Sequence, residues 1–418
     1  MRGMQSKPVR TVRRMSEWKG FLRRRTAPAR DGGSQSGRFV GVADVFCSVG
    51  GLTLGVAEAI AAQGDSPRFT FAADLDEAAL AVYLANFPEA TGIPRSMEEL
   101  VRMDIRGVGA AAKIVGGKRG IKIDSAVPGA LGSHGGVPDV LLAGPPCQGH
   151  SMLNNHTRYD DPRNRLYLTV PAMAIKLGIP NIIIENVPGV LRDKNNVAVT
   201  AEALFEKYKY KTSIGVLAAH RLGWPQTRRR FFLIASLWGQ PLSVEEILDE
   251  AARSLKMQFR DRQLPSVMWA IENLPPARAG EESWMQEPPN LSQENRRRID
   301  SLIRSGRRDM PLEDRPPSHS GGTTYMANYG RMHPEKPAPT LTTGYATPGR
   351  GRFIHPTEPR TLLPREAARI QGFPDWFSFA ADGKRPPRAD LNRWIGNAVP
   401  SILGFHAYMA LPKRPRGR

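Results

Sequence analysis

Cysteine is almost missing from this chain: Cys47 and Cys147 are the only two thiols in 418 residues. A disulfide framework is therefore excluded as the source of stability, and a reducing, cytoplasmic setting is expected. Histidine is also sparse, with eight residues. His150 and His156 stand close together, but no Cys or carboxylate spacing supports them, so no metal is expected. No apolar run is long enough to span a bilayer, and the basic N-terminus lacks the apolar core of a secretory signal. A membrane partner is not expected. Repeats of solenoid length are absent.

What is present in excess is positive charge. Lys and Arg number 59 against 40 Asp and Glu, a formal net charge of +19. That balance favours a polyanionic partner, nucleic acid ahead of a membrane surface. Length allows a large core and two domains. Residues 1–38 carry eleven Lys/Arg against Glu17 and Asp31. With the Gly/Ser-rich stretch 32–37 they read as a basic, disordered arm, either a nonspecific phosphate contact or a solvated tail.

The folded part opens with a strand at 39–46, a Gly-rich turn through Gly50 and Gly51, and a helix through Ile60. Strand, glycine turn and helix begin a nucleotide-binding βαβ unit, although plain tight turns use glycine too. A second strand at 69–73 ends in Asp74-Leu75-Asp76. One acid there suits a ribose hydroxyl pair and the other a helix N-cap; Asp74 is assigned the ribose and Asp76 the cap. Met103-Asp104-Ile105 reads as the end of a third short strand or a turn, and 107–137 as an insertion that loops out.

The centre of the chain is Gly144-Pro145-Pro146-Cys147-Gln148-Gly149. A short buried run, Val140–Ala143, leads into a stiff Pro-Pro turn that presents one thiol at a strand's C-terminal end, where open α/β sheets bind ligands. A cysteine alone is more often a buried structural thiol; here the turn and the polar stretch 150–165 favour a nucleophile with a mobile lid. A second buried strand, Ile182-Ile183-Ile184, ends in Glu185, a candidate acid–base group beside that thiol. A hairpin-like return at 223–230 carries Arg228, Arg229 and Arg230, and strand alternation sends Arg228 and Arg230 one way and Arg229 the other. From 236 to 340 the βαβ rhythm stops, which reads as a smaller domain with a helix over 293–304. A further helix starts at Pro364 and stops at Gly372.

Taken in order, these stretches resemble the DNA (cytosine-5)-methyltransferase family. Asp44-Val45-Phe46 through Gly51 is similar to its cofactor loop, and the Pro-Pro-Cys turn to its nucleophile motif. Glu185-Asn186-Val187 resembles its glutamate motif, and Gln226-Thr227-Arg228-Arg229-Arg230 its Gln-x-Arg-x-Arg motif. The stretches 365–374 and Gly396-Asn397-Ala398-Val399-Pro400 match its two C-terminal motifs. Six motifs in the family's order cover 39–405. Ser48 departs from the family, standing where a glycine is common, and His150 stands where phenylalanine is frequent.

The resemblance implies a Rossmann-like α/β sheet of the S-adenosylmethionine-dependent kind, formed by 39–235 plus 385–410, and a target-recognition domain at 236–384. It implies S-adenosyl-L-methionine as cofactor, held by Phe46, Gly50, Gly51, Leu52, Asp74, Asp104, Pro145 and Asn397. Catalysis falls to Cys147, Glu185, Arg228 and Arg230, and DNA contact to Gln148, Ser151, Arg163 and Gln226. The expected partner is double-stranded DNA with its cytosine flipped out of the stack, and a cognate restriction endonuclease is a candidate second partner. A monomer at the nucleoid of a bacterium, or of phage origin, is expected. Two alternatives stand: an RNA cytosine-5 methyltransferase on the same scaffold, and a DNA-binding regulator without turnover. The second domain and basic arm favour DNA, and retention of Cys147, Glu185, Arg228 and Arg230 favours an enzyme. A nicotinamide dehydrogenase leaves the Pro-Pro-Cys and Glu-Asn-Val motifs unexplained.

Overall fold

A computed structural model describes residues 14–27, 37–146, 162–258, 265–274, 276, 282–316 and 328–415. Seven strands form its main sheet: β1 (Phe39–Val45), β2 (Ser66–Ala73), β3 (Thr91–Ile93), β4 (Val140–Ala143), β5 (Asn181–Asn186), β6 (Lys211–Ala218) and β7 (Arg229–Ser236). Their spatial order is β6-β7-β5-β4-β1-β2-β3. β1 pairs in parallel with β2 and β4, and β4 with β5, whereas β7 runs antiparallel to both β5 and β6. The chain moves outward from β1 to β3, then crosses to the other side of β1 at β4. Such a reversal opens a crevice beyond the C-terminal ends of β1 and β4, where doubly wound sheets bind ligands.

Both faces of the sheet are covered, so its central strands hold continuous apolar runs rather than alternating with polar residues, with Asp44 and Glu185 near their C-terminal ends. Val140, Leu142 and Ile183 point into one core, and Leu141, Ala143, Ile182 and Ile184 into the other. Over the first face, helix α2 (Gly51–Ala62) packs against α10 (Ser401–Met409), the last helix. A Cβ on Gly55 would sit 2.0 Å from the Ser401 carbonyl oxygen, and one on Gly404 would sit 2.7 Å from that of Leu52. Only hydrogen at those two positions lets the helices approach this closely. Helices α4 (Thr169–Leu177) and α5 (Val197–Lys207) cover the second face.

Several expectations are corrected. The basic arm is not all tail: α1 (Met15–Leu22) buries Met15, Trp18, Phe21 and Leu22 in the first core. Trp18 meets Trp224 and Phe405 edge-on at ring-centroid distances of 5.5 and 5.2 Å. Residues 1–13 and 28–36 lie outside the described residues. The third strand of the sheet is Thr91–Ile93; Met103 and Asp104 link two short strands outside it, Val101–Arg102 and Ile105–Arg106. The insertion does not loop out. Val101–Arg102 pairs with Lys122–Ile123, and Ile105–Arg106 with Lys113–Ile114, as one irregular hairpin, followed by a helix, Ala126–Ser133. Its Ile114, Ile121 and Val127 are buried in the second core.

Parts of 236–384 pack into the first core. Helix α6 (Val244–Gln258) buries Val244, Ile247, Leu248 and Leu255 there, and Phe373, Phe377 and Phe379, just after α8 (Pro364–Ile370), join them. A separate small core forms around α7 (Gln293–Arg304), where Ile299 and Leu302 meet Ile354.

Candidate active site

The crevice is built from the ends of β1, β2, β4 and β5. After β1, Phe46 and Ser48 both take positive φ, 56° and 46°, before Gly50 at 90°. Non-glycine residues rarely adopt that region, which costs about 1–2 kcal/mol each. Asp74, at the end of β2, supports the strained turn: its Oδ2 accepts the Ser48 amide at 2.7 Å and its Oδ1 the Asp76 amide at 2.9 Å. This is how serine is accommodated where glycine is expected. A Cβ on Gly50 would lie 2.6 Å from the Phe87 ring, so glycine is required there.

Beneath the turn, Thr53 Oγ1 donates to Asp44 Oδ2 at 2.5 Å and lies 3.3 Å from the Tyr83 hydroxyl. Burial, with a contribution from nearby Asp74, pushes the Asp44 carboxyl up to about 7 despite the Thr53 bond. Cys47 is buried in this turn; burial, then the Asp44 and Asp74 charges, push its thiol well above the ordinary range. A buried, acid-flanked thiol is a poor nucleophile.

Asp76 caps α3 (Glu77–Asn86) by accepting the Ala79 amide at 3.2 Å, and also accepts Trp394 Nε1 at 3.2 Å. That leaves Asp74 as the acid facing the turn, as expected. Leu52 is different. Its side chain packs towards Gly404 of α10, so only its backbone faces the turn. Asp104 is exposed on the hairpin and pairs with Arg106 at 3.2 Å. It borders a cavity of about 650 Å³ shared with Ile105, Arg165 and Leu166.

On the other side of the crevice, the Gly144 amide donates to the Val45 carbonyl at 3.3 Å, and the Pro145 carbonyl accepts Asn186 Nδ2 at 3.2 Å. Asn186 also accepts the Val187 amide at 2.8 Å, so one side chain ties the end of β5 to the Pro-Pro turn. This positioning role is not read from the sequence; its only signal is adjacency to Glu185. A Cβ on Gly144 would stand 3.9 Å from Glu185 Oε2, which places that carboxylate beside the turn. Cys147, Gln148 and Ser151 lie outside the described residues, as do the rest of 147–161 and the side chain of Arg163.

Glu185 is buried, and Arg230 Nε lies 2.7 Å from its Oε1. Burial raises its carboxyl above the ordinary range, and the positive charges of Arg230 and Arg228 oppose that rise. The arginines divide as strand alternation predicts: Arg228 and Arg230 point inward and Arg229 outward. Arg228 donates from Nη1 to the Leu341 carbonyl at 2.7 Å, and from Nη2 to those of Gly396 and Asn397 at 3.1 and 3.2 Å. It holds α9 (Arg388–Asn397) and the 341 segment in place beneath Glu185. Gln226, expected at the DNA, is corrected. It is fully buried and donates to Gln371 Oε1 at 3.0 Å, so its amide is not available to a base. Gln371 in turn donates to the Ile395 carbonyl at 2.5 Å. Asn397 itself is exposed, and the following Ala398 and Val399 lie against Gly51, at the turn after β1.

Among the described residues, one His/carboxylate group is close enough to suggest a metal: His355, Glu358 and Glu366. Arg360 already bonds both Glu366 oxygens at 2.7 Å and Glu358 at 2.8 Å. His355 Nδ1 accepts the Glu358 amide at 3.0 Å, which leaves the ring proton on Nε2, facing Glu366. The cluster is an ion-pair network.

Known proteins share this architecture. The solved structure of a Dnmt2 methyltransferase from S. pombe superposes with a TM-score of 0.57 at 14% identity, over 88% of this chain and 96% of that one. The shared fold is a Rossmann-like α/β sheet. Among curated proteins, the type II methyltransferase M1.BsuMI of Bacillus subtilis is 37% identical over 88% of this chain and 79% of its own length. The type II methyltransferase M.DdeI of Desulfomicrobium norvegicum is 30% identical over 63% of this chain and 70% of its own. Residues 122–410 match the C-5 cytosine-specific DNA methylases, and the chain belongs to that family of enzymes.

Proposed function

We propose that this enzyme transfers a methyl group from S-adenosyl-L-methionine to C5 of a cytosine flipped out of a specific duplex DNA sequence, through a covalent bond between Cys147 and C6. The observation that carries the reading is the buried Glu185–Arg230 pair beside the Gly144-Pro145-Pro146 turn. A carboxyl held there meets the N3 and amino edge of a base whose C6 faces the residue after Pro146.

The residues around the first turn fit the cofactor. Each Asp74 oxygen accepts one backbone amide and keeps a lone pair for a ribose hydroxyl. Gly50, Gly51 and Phe46 would hold the methionine and adenine parts, and Pro145 and Asn397 would border them. Asp104 would stand at the adenine end. Leu52 would contribute its backbone. The cofactor supplies an electrophilic methyl group.

Cytosine C5 is a poor nucleophile, and the protein's task is to activate it. The Cys147 thiolate adds to C6, Glu185 donates its proton to N3, and the resulting enamine makes C5 nucleophilic. Once C5 has taken the methyl group from the sulfonium, which would leave as a neutral thioether, a water molecule would remove the C5 proton. That C–H electron pair re-forms the C5–C6 double bond and expels the Cys147 thiolate, and the N3 proton returns to Glu185. Arg230 touches Glu185 and is the arginine placed to act on the base; Arg228 acts through the segments it holds. Gln148, Ser151 and Arg163 are proposed to contact DNA around the flipped base.

The relatives' names support a modification role, either as one half of a restriction system with a cognate endonuclease or as a stand-alone methylase. The chain is proposed to act as a monomer in the cytoplasm; no described helix is long and apolar enough to cross a membrane. The test is methylation-sensitive sequencing of host DNA after expression of the wild type and of Cys147→Ser. Methylcytosine in one sequence context, lost with the mutant, is expected. Unmethylated DNA alongside methylated RNA would overturn the DNA reading, and persistence in Cys147→Ser would overturn the covalent step.

A further inference from the structure

Apart from Asp104, the hairpin at 101–123 has no part in the chemistry above, yet its charge is one-sided. Arg102, Arg106, Lys113, Lys118, Arg119 and Lys122 stand against a single acid, Asp104. Its register places Arg102 directly opposite Lys122, and Arg106 directly opposite Lys113. Like charges facing each other across an antiparallel pair destabilise it. Asp104 offsets one of the two pairs through Arg106. Among the described residues, no carboxylate pairs with Lys113, Lys118, Arg119 or Lys122.

The hairpin cannot relieve this by turning over. Val101, Ile114 and Ile121 are buried in the second core, which holds the opposite face outward. The helices beneath add charge to its rim. Lys176 of α4 donates to the Lys118 carbonyl at 3.2 Å, and Lys207 of α5 to the Ala112 carbonyl at 3.4 Å. The nearest acid past the hairpin, Asp124, is engaged by Arg95 at 2.7 Å. A concentration of positive charge held at a cost to stability fits a polyanion. Position names which one: across the 650 Å³ cavity, the root of the hairpin faces Arg165, Leu166 and Leu168, the segment leading out of the Cys147 stretch.

We propose that the outer face of this hairpin is a second DNA contact, which holds the phosphates of the duplex flanking the target cytosine. The proposal rests on duplex DNA being the substrate. Flank binding of this kind is independent of sequence and appears in affinity and salt dependence rather than in site choice.

The test compares the wild type with a Lys113→Gln, Lys118→Gln, Arg119→Gln, Lys122→Gln variant on two duplexes that carry the methylated site. One is about 12 base pairs long and covers the site alone; the other, about 40, adds flanks. The variant is expected to bind the long duplex at least tenfold more weakly at low salt. Its slope of log affinity against log salt should be shallower by about 3 to 4. Binding to the short duplex and methylation within it should match the wild type. A milder Lys118→Gln, Arg119→Gln variant, confined to an exposed turn, should show about half the change in slope. Equal slopes on the long duplex would overturn the proposal while leaving the methyltransferase reading intact. Weakened binding to the short duplex would also overturn it, by placing the patch within the target cleft. Wild-type binding to vesicles of anionic lipid, with DNA affinity unaffected by the variant, would assign the face to a membrane instead. Failure of the wild type to bind or methylate either duplex would remove the substrate reading and this proposal together.

Discussion

Arg230 Nε and Glu185 Oε1 are 2.7 Å apart, and this contact opposes the effect of burial on the carboxyl. Burial pushes Glu185 up and the guanidinium holds it down. Replacing Arg230 with Gln removes the restraint, so the pH at which Glu185 gives up its proton moves higher. The alkaline fall of kcat/KM that depends on protonated Glu185 should move to higher pH in Arg230→Gln. Glu185→Gln should abolish that limb and slow methyl transfer by about 10²- to 10⁴-fold. A pH–rate series on the three proteins checks both; an unmoved limb would remove Arg230 from control of the carboxyl.

The two thiols should separate cleanly. Cys47 is buried with its thiol held protonated, so Cys47→Ala should still form a covalent adduct with a duplex carrying 5-fluorocytosine at the target position. Cys147→Ser should form none while keeping its affinity for DNA. Denaturing gel electrophoresis reads the adduct, and trapping by Cys147→Ser would show that another nucleophile attacks C6.

Asp44 predicts a pH-dependent stability of known sign. Its carboxyl stands at about 7 in the folded chain, against an ordinary value of 3.8. Between those values the folded state holds a proton that the unfolded state has lost, so stability falls as pH rises, by at most about 1.4 kcal/mol per unit. Below the lower value the contribution is fully present, and above about 7 it is lost. Asp44→Asn should flatten the curve in this window. Urea titrations from acid to neutral pH test it; parallel curves for the two proteins would refute the assignment.

Close helix packing predicts the effect of one methyl group. In Gly55→Ala the new Cβ meets the Ser401 backbone, which cannot move aside as a side chain can. The substitution should cost about 1–3 kcal/mol and weaken cofactor binding, because α2 begins at the cofactor turn. Trp18→Ala should cost about 3–5 kcal/mol, since that ring is wholly buried. Denaturant midpoints measure both, and a shift below about 0.5 kcal/mol in Trp18→Ala would mean that α1 is not docked in solution.

Much of the scaffold is legible where residue type and environment agree. Ile182, Ile183 and Ile184 announce a strand buried on both faces, and Asp76 before Glu77 announces a helix start. β3 is missed because three residues with one buried side chain, Ile93, give no periodicity. α1 is missed for another reason: Trp18, Phe21 and Leu22 lie among Lys19, Arg23, Arg24 and Arg25, whose charge dominates any composition window. Gln226 is placed at the DNA by the motif resemblance, which carries no information on burial. Its burial depends on Gln371, 145 residues away, and no local pattern records such a partner. The Asp44–Thr53–Tyr83 group is hidden in the same way, because its members come together only after β1, α2 and α3 are packed.

Trp18 lies against Phe405, so the first described helix is completed by the last one. During synthesis its apolar side waits until Phe405, more than 380 residues later, has left the ribosome. At roughly 5–20 residues per second that interval is on the order of 20–80 s. The crevice faces the same delay, because α10 and the Ala398–Val399 backbone support the turn through which α2 begins. A nascent chain therefore emerges with Glu185 translated but the support of the turn after β1 missing. Methylating competence should appear late and abruptly, once α10 has emerged, and chains truncated before residue 400 should be inert and dependent on chaperones.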